Sequence, residues 1–279
     1  MENLRHLLQY HRPQSMYDSE VHKYIGEILQ TGENFAEDPE KLWSEFKDKF
    51  DKWIHGSKLN TLHNLDRFAD RDIIMGVTHY LDDIHQMLPN VCVLEHEYRY
   101  HDRLYGDSLV IRTPESIQPD DNLIISLPFP RYGDIHPDMD EIVNVCNRRG
   151  ANIHIDACWY GCSRDIVFDL GEPCIKSVAF SLSKALGLGA NRVGVRYARK
   201  RWTGPVTIMN YFDMTPQILV WMGIKFIDRF GSDFWQNKYG DAYQAVCREL
   251  NLQPTKAIHV AWDNGSPCGV RPLLRKLVK

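Results

Sequence analysis

Between Pro39 and Trp53 the apolar residues Leu42, Trp43, Phe46, Phe50 and Trp53 recur at three- and four-residue intervals, with charged residues between them. That period puts them on one face of a helix whose other face is wet. Tyr17 to Leu29 also reads as helical. Residues 1–60 are therefore read as a helical N-terminal arm, with its apolar face reserved for a core or a subunit contact. From about residue 70 the pattern changes. Short apolar runs at Ile73–Met75, Val91–Glu95, Ser108–Arg112, Leu123–Leu127, Asn152–Asp156, Cys174–Phe180 and Val193–Tyr197 predict strands. Thr78–Met87 and Pro137–Arg149 predict helices, the second capped by Gly150. Continuous apolar strands alternating with helices imply an α/β fold around a mostly parallel sheet. Pro216–Phe230 and Asp233–Leu250 continue as long helices. Ala257–Trp262 then reads as a strand entering an Asp263-Asn264-Gly265 turn.

Composition narrows the class without naming a function. The chain has 279 residues, enough for one large domain or a large and a small one. Its net charge of −4 gives no reason to expect nucleic acid or an acidic lipid surface as a partner. No apolar run approaches the ~20 residues that cross a bilayer. Met1-Glu2-Asn3-Leu4-Arg5-His6 lacks the apolar stretch of a secretory signal, so a cytoplasmic protein is expected. The seven cysteines are odd in number and irregular in spacing, and read as reduced thiols. Cys158 and Cys162 do not have the spacing of a metal or redox pair.

The chemistry is concentrated in Ser181-Leu182-Ser183-Lys184-Ala185-Leu186-Gly187-Leu188-Gly189-Ala190-Asn191-Arg192-Val193-Gly194. A lysine whose surroundings lower its pKa forms a Schiff base with an aldehyde. Hydroxyls and an arginine suit a phosphate, and glycines let a backbone pass close to a ligand. Together they point to pyridoxal 5'-phosphate (PLP) held by Lys184. Ligands of parallel sheets bind beyond the carboxyl ends of strands, and Asp156 and Lys184 both follow predicted strands. PLP chemistry needs a carboxylate facing the pyridine nitrogen, an aromatic ring on the pyridine face, and donors for the phosphate.

At this point the chain resembles the fold type I, class I/II aminotransferases. Ser181, Ser183, Lys184, Gly187, Leu188, Arg192, Val193 and Gly194 match their S-x-S-K-x-x-G-L-x-x-x-R-V-G signature. Asp156-Ala157-Cys158-Trp159-Tyr160-Gly161 resembles the D-x-A-Y-x-G segment, whose acid pairs with the pyridine nitrogen. Gly76-Val77-Thr78-His79 resembles the glycine turn that binds the phosphate at a helix N-terminus. Glu95 to His101 lies where the family places its stacking aromatic. By position Tyr98 is the stacker, with Tyr100 as its rival, and His101 is a candidate partner for Asp156. The alternatives are ordinary ones: Gly76 and Thr78 as a plain capped turn, Asp156 as a helix cap, Arg192 as a structural ion-pair partner. The resemblance covers residues 70 to 200 and is faint outside them.

The departures are as specific. Where the family carries N-P-x-G this chain reads Pro128-Phe129-Pro130-Arg131-Tyr132-Gly133, with no asparagine. Trp159 stands at the usual tyrosine position, with Tyr160 next to it. Both customary donors to the cofactor's phenolic oxygen are therefore missing; Trp159 has one N–H that could substitute, as could Tyr132, Tyr160 or Arg131. Only a short segment, residues 251–279, follows the large domain assigned to 61–250. There Arg271, in Gly269-Val270-Arg271-Pro272, is either the holder of a substrate carboxylate or part of a basic tail. The resemblance implies a three-layer α/β/α sandwich, a reduced C-terminal small domain, a homodimer, and an amino-acid substrate. Amino transfer is the expected reaction. A PLP-dependent lyase, decarboxylase, cyclase or oxidase, or a non-catalytic PLP-binding protein, would use the same residues.

Overall fold

The computed structural model describes residues 2–10, 14–33 and 38–277. Its centre is a seven-stranded sheet built from β1 (Asp70–Ile74), β2 (Val91–Leu94), β3 (Val110–Arg112), β4 (Asn122–Ser126), β5 (Asn152–Asp156), β6 (Ile175–Ser181) and β7 (Gly194–Ala198). The order across the sheet is β1-β7-β6-β5-β4-β2-β3. Every neighbouring pair is parallel except the two that involve β7, which runs against both β1 and β6. The mostly parallel sheet expected from the apolar runs is thus present, with β7 as its one reversed strand.

Alternation along the central strands explains the layers. In β4, Leu123 and Ile125 enter the larger core while Ile124 points into the smaller one. The smaller core joins Ile124 and Ala179 to Val77, Tyr80, Leu81 and Ile84 of the helix Val77–Met87, here α3. On the opposite face lie α2 (Pro39–His55), α4 (Met139–Arg149), α5 (Gln217–Arg229) and α6 (Phe234–Glu249). Helices therefore cover both faces of the sheet. Phe46 and Phe50 of α2 are fully buried in the same core as β6, so the amphipathic stripe read at Leu42–Trp53 packs inward. Asp18 caps the earlier helix α1 (Ser19–Leu29) through the Glu20 and Val21 amides.

The chain ends meet. Gln9 bridges to Gly269 of a C-terminal three-stranded sheet: β8 (Gln253–Pro254), β9 (Val260–Asp263) and β10 (Ser266–Gly269). Arg5 bonds Asp263 at 2.5 Å and the Leu250 carbonyl at 2.6 Å. Asn264 and Gly265, both at positive φ, make the turn expected there. Among the described residues no helix is long and apolar enough to cross a membrane.

Candidate functional site

The carboxyl ends of β1, β2, β5 and β6 supply the site. Asp156 closes β5, and its neighbour β6 ends at Ser181. There the chain turns at once into a short helix, Leu182–Ala185, which carries Lys184. β1 leads through Gly76 into α3, and the loop after β2 brings in Tyr98. Val77, Thr78, Tyr98, Asp156, Ser181, Ser183, Lys184 and Arg192 line one cavity of about 110 Å³.

One corner is built for an anion. Gly76 has φ 73° and ψ 167°, a region closed to residues with a side chain. A Cβ there would lie 2.7 Å from Arg192 Nη2, so only glycine lets the guanidinium lie against this turn. Arg192 donates to Thr78 Oγ1 at 2.6 Å and to the Met75 carbonyl at 3.3 Å. Among the described residues no side chain caps the start of α3, which leaves donors and the positive helix end at the cavity wall. The Ser181 hydroxyl donates to the Val193 carbonyl and accepts the Ser183 N–H, both at 3.2 Å.

Lys184 lies between rings and a thiol. Its Nζ is 4.9 Å from the Tyr98 ring centre, 5.4 Å from that of Trp159, and donates to Cys158 Sγ at 3.6 Å. The Lys184 carbonyl accepts from Trp235 Nε1 at 3.2 Å and from the Cys162 thiol at 3.1 Å, which pins the backbone beneath the amine. Burial of the amine works against its charge, but the Cys158 sulfur and the Asp156 carboxylate outweigh it, and its pKa lies above that of a free lysine. Burial raises Asp156, against the pull of Lys184 and of the Cys158 N–H, which donates to Asp156 Oδ1 at 2.8 Å.

The two tyrosines lie differently. Tyr98 faces the cavity, whereas Tyr100 opens a short helix and donates its hydroxyl to Asp82 at 2.6 Å. His101 is not brought to Asp156. Its Nδ1 meets His85 Nε2 at 2.9 Å, its Nε2 is buried without a partner, and burial pulls its pKa down to about 3. Trp159 joins Ser126, Pro128 and Pro130 around a small recess beside Lys184, and its ring meets His259 edge-on at 4.4 Å. Arg271 lies at the start of the last helix and donates to Ser15 O at 3.2 Å and to Gln14 Oε1. Ser15 in turn lines the Lys184 cavity.

Three residues at the site carry no role in the sequence reading. Cys158 touches the lysine, and its place between Asp156 and Trp159 was the available signal. Glu97 is buried behind Tyr98, accepting from Tyr98 N at 2.7 Å, Ser126 N at 2.7 Å and Ser126 Oγ at 2.5 Å. Burial pushes its pKa up to about 7. Ser15 has no local motif at all. Among the described residues no group of three or more His, Cys, Asp or Glu side chains is placed to hold a metal ion.

No family model matches the sequence, and no curated protein matches it. Solved structures do resemble it. Aspartate aminotransferase from Thermus thermophilus with maleate superimposes with a TM-score of 0.59 at 14% identity, covering 93% of this chain and 78% of that one. A PLP-bound putative aminotransferase from Clostridium difficile 630 gives 0.60 at 9% identity, covering 89% and 73%. A PLP-bound C-S lyase from Staphylococcus hominis gives 0.59 at 10% identity, covering 90% and 74%. The chain therefore has the fold type I, aminotransferase-like α/β fold.

Proposed function

We propose that this chain binds PLP through Lys184 and acts on the amino group of an amino acid, with amino transfer as its reaction. The observation that carries the proposal is the convergence of Lys184, Asp156, Tyr98 and the Thr78–Arg192–Ser181–Ser183 corner on one cavity. The residues present fit the group. The uncapped start of α3, with the cradle that a Cβ at Gly76 would fill, suits a phosphate, and Arg192 and Thr78 already meet there. Asp156 is buried beside the lysine, where a carboxylate can keep a ring nitrogen protonated.

When bound, PLP supplies an aldehyde carbon for amines and a ring that takes up electrons released from the substrate. The chain's own groups do the rest. Arg192, Thr78, Ser181, Ser183 and the α3 amides would hold the phosphate. Asp156 would hold a proton at the ring nitrogen, and Tyr98 would keep water from the ring. With the cofactor bound, Lys184 would be the group placed to move the proton at the substrate α-carbon, acting through its neutral amine. Arg271 takes the substrate carboxylate: its guanidinium has no carboxylate partner among the described residues.

A second reading, elimination or decarboxylation on the same residues, is favoured by Pro130 and Trp159. They line the recess beside Lys184 and stand where the family's phenolic-oxygen donors would be. The partner is a second copy of the chain. Ile208, Tyr211, Phe212, Met214 and Ile218 are exposed on the helix Pro205–Tyr211 and the residues after it. That helix docks on β1 through Asn210 and Ile73, beside Met75, which is exposed as well. An apolar patch of this kind suits a subunit contact bordering the phosphate corner.

The test is a spectrum and an assay. Protein incubated with PLP should show a band near ~420 nm that Lys184→Ala abolishes. Pyruvate or 2-oxoglutarate offered with a panel of amino acids should then be aminated. A wild type with no band refutes the cofactor; a band without amino transfer moves the reaction to the second reading.

A further inference from the structure

The N-terminal segment reaches the site at Ser15. Gln9 is paired with Gly269 in both directions, Gln9 N to Gly269 O at 3.0 Å and Gly269 N to Gln9 O at 2.8 Å. Gln9 Oε1 accepts the Gln14 N–H at 3.3 Å, which holds Gln14 and Ser15 over Arg271, two residues beyond Gly269. Arg271 donates to the Ser15 carbonyl and the Gln14 side-chain oxygen, and its Nε is buried without a partner. Both acceptors are neutral. Burial works against the guanidinium's charge, and Arg275 one turn on repels it. A half-buried cation held by amide oxygens has no counter-ion among the described residues. The planar fork of a guanidinium matches a carboxylate with two parallel bonds. Ser15, whose carbonyl accepts from Arg271, is at the same time a wall of the Lys184 cavity.

We infer that Gln14 is a placeholder in the carboxylate subsite: its amide oxygen accepts from Arg271, and the carboxylate of an incoming amino acid displaces it. The inference rests on the reading of Lys184 as the PLP anchor and adds an N-terminal residue to the site. Gln14 thereby sets the affinity for the substrate carboxylate. A weaker acceptor at position 14 gives way more readily, and a carboxylate there satisfies Arg271 internally and competes with the substrate.

The test compares wild type, Gln14→Ala, Gln14→Glu and Gln14→Glu/Arg271→Met, each loaded with PLP. The response of the cofactor band to the standard L-amino acids gives the dissociation constants, and thermal unfolding gives the melting temperatures. Gln14→Glu should weaken the best-binding amino acid by about tenfold or more, with the cofactor band unchanged. Gln14→Ala should bind it as tightly as wild type or more tightly. Gln14→Glu should also melt above wild type, and Arg271→Met in the same chain should remove that gain. Unchanged affinity in Gln14→Glu, or a wild-type band that responds to no amino acid, overturns the inference while leaving PLP binding intact. A wild type with no cofactor band refutes the PLP reading instead. The melting temperatures then decide the Gln14–Arg271 pairing alone: a Gln14→Glu protein no more stable than wild type overturns it.

Discussion

Gly76→Ala separates the phosphate corner from the rest of the site. The added methyl would start 2.7 Å from Arg192 Nη2 and 3.0 Å from its Cζ, at a backbone φ of 73°. Two costs follow. The backbone conformation costs a non-glycine residue about 1–3 kcal/mol, which appears as lost stability. The guanidinium must also move off the turn, giving up its 2.6 Å bond to Thr78 and its place beside the α3 amides. A charge-assisted contact of that kind contributes about 1.5–3 kcal/mol, or roughly 10- to 100-fold in affinity. The assay is a titration of the variant and wild type with PLP and with pyridoxal, which has the same aldehyde and ring but no phosphate. PLP affinity should fall by the stated factor while pyridoxal affinity stays within about twofold. Equal losses for both, or full PLP affinity in a folded Gly76→Ala protein, would refute the placement of the phosphate.

Asp156→Asn removes the charge facing Lys184 and should lower that lysine's pKa, read from the pH dependence of its modification, while cutting turnover by about a hundredfold or more. Glu97 has a carboxyl whose folded pKa, about 7, lies above its ordinary value of 4.5. The folded protein thus binds more protons between those two values, and stability falls as pH rises through that window, by about 3 kcal/mol in total. Glu97→Gln should flatten that slope in denaturant unfolding; an unchanged slope would remove Glu97 as its source. Phe212→Asp, in the exposed patch, should shift the protein from dimer to monomer in sedimentation, and a dimer that persists would place the subunit contact elsewhere.

The parts of this account legible in the sequence are those fixed by short-range pattern. β5 spans Asn152–Asp156 as the apolar run implies, and Lys184 follows β6 directly because Ser181 ends the strand and caps the next turn. Gly76 was readable because a helix N-terminus after a glycine turn is a local motif. What the sequence left open depends on neighbours far along the chain. Tyr100 is drawn to Asp82 and His101 to His85, both carried by α3. The direction of the Lys184 pKa depends on Cys158 and Asp156, which strand pairing alone brings beside it. Arg271 meets Gln14 across almost the whole length of the chain, through the Gln9–Gly269 bridge, and no local period announces that contact.

The central claim is that Lys184 is the residue that takes up PLP. Protein loaded with PLP, reduced with borohydride, digested and mapped by mass spectrometry tests it most directly. One modified peptide is expected, carrying the pyridoxyl phosphate mass on Lys184 and absent from Asp156-intact Lys184→Ala protein. A label spread over surface lysines, or fixed on another lysine with Lys184 unmodified, would contradict it.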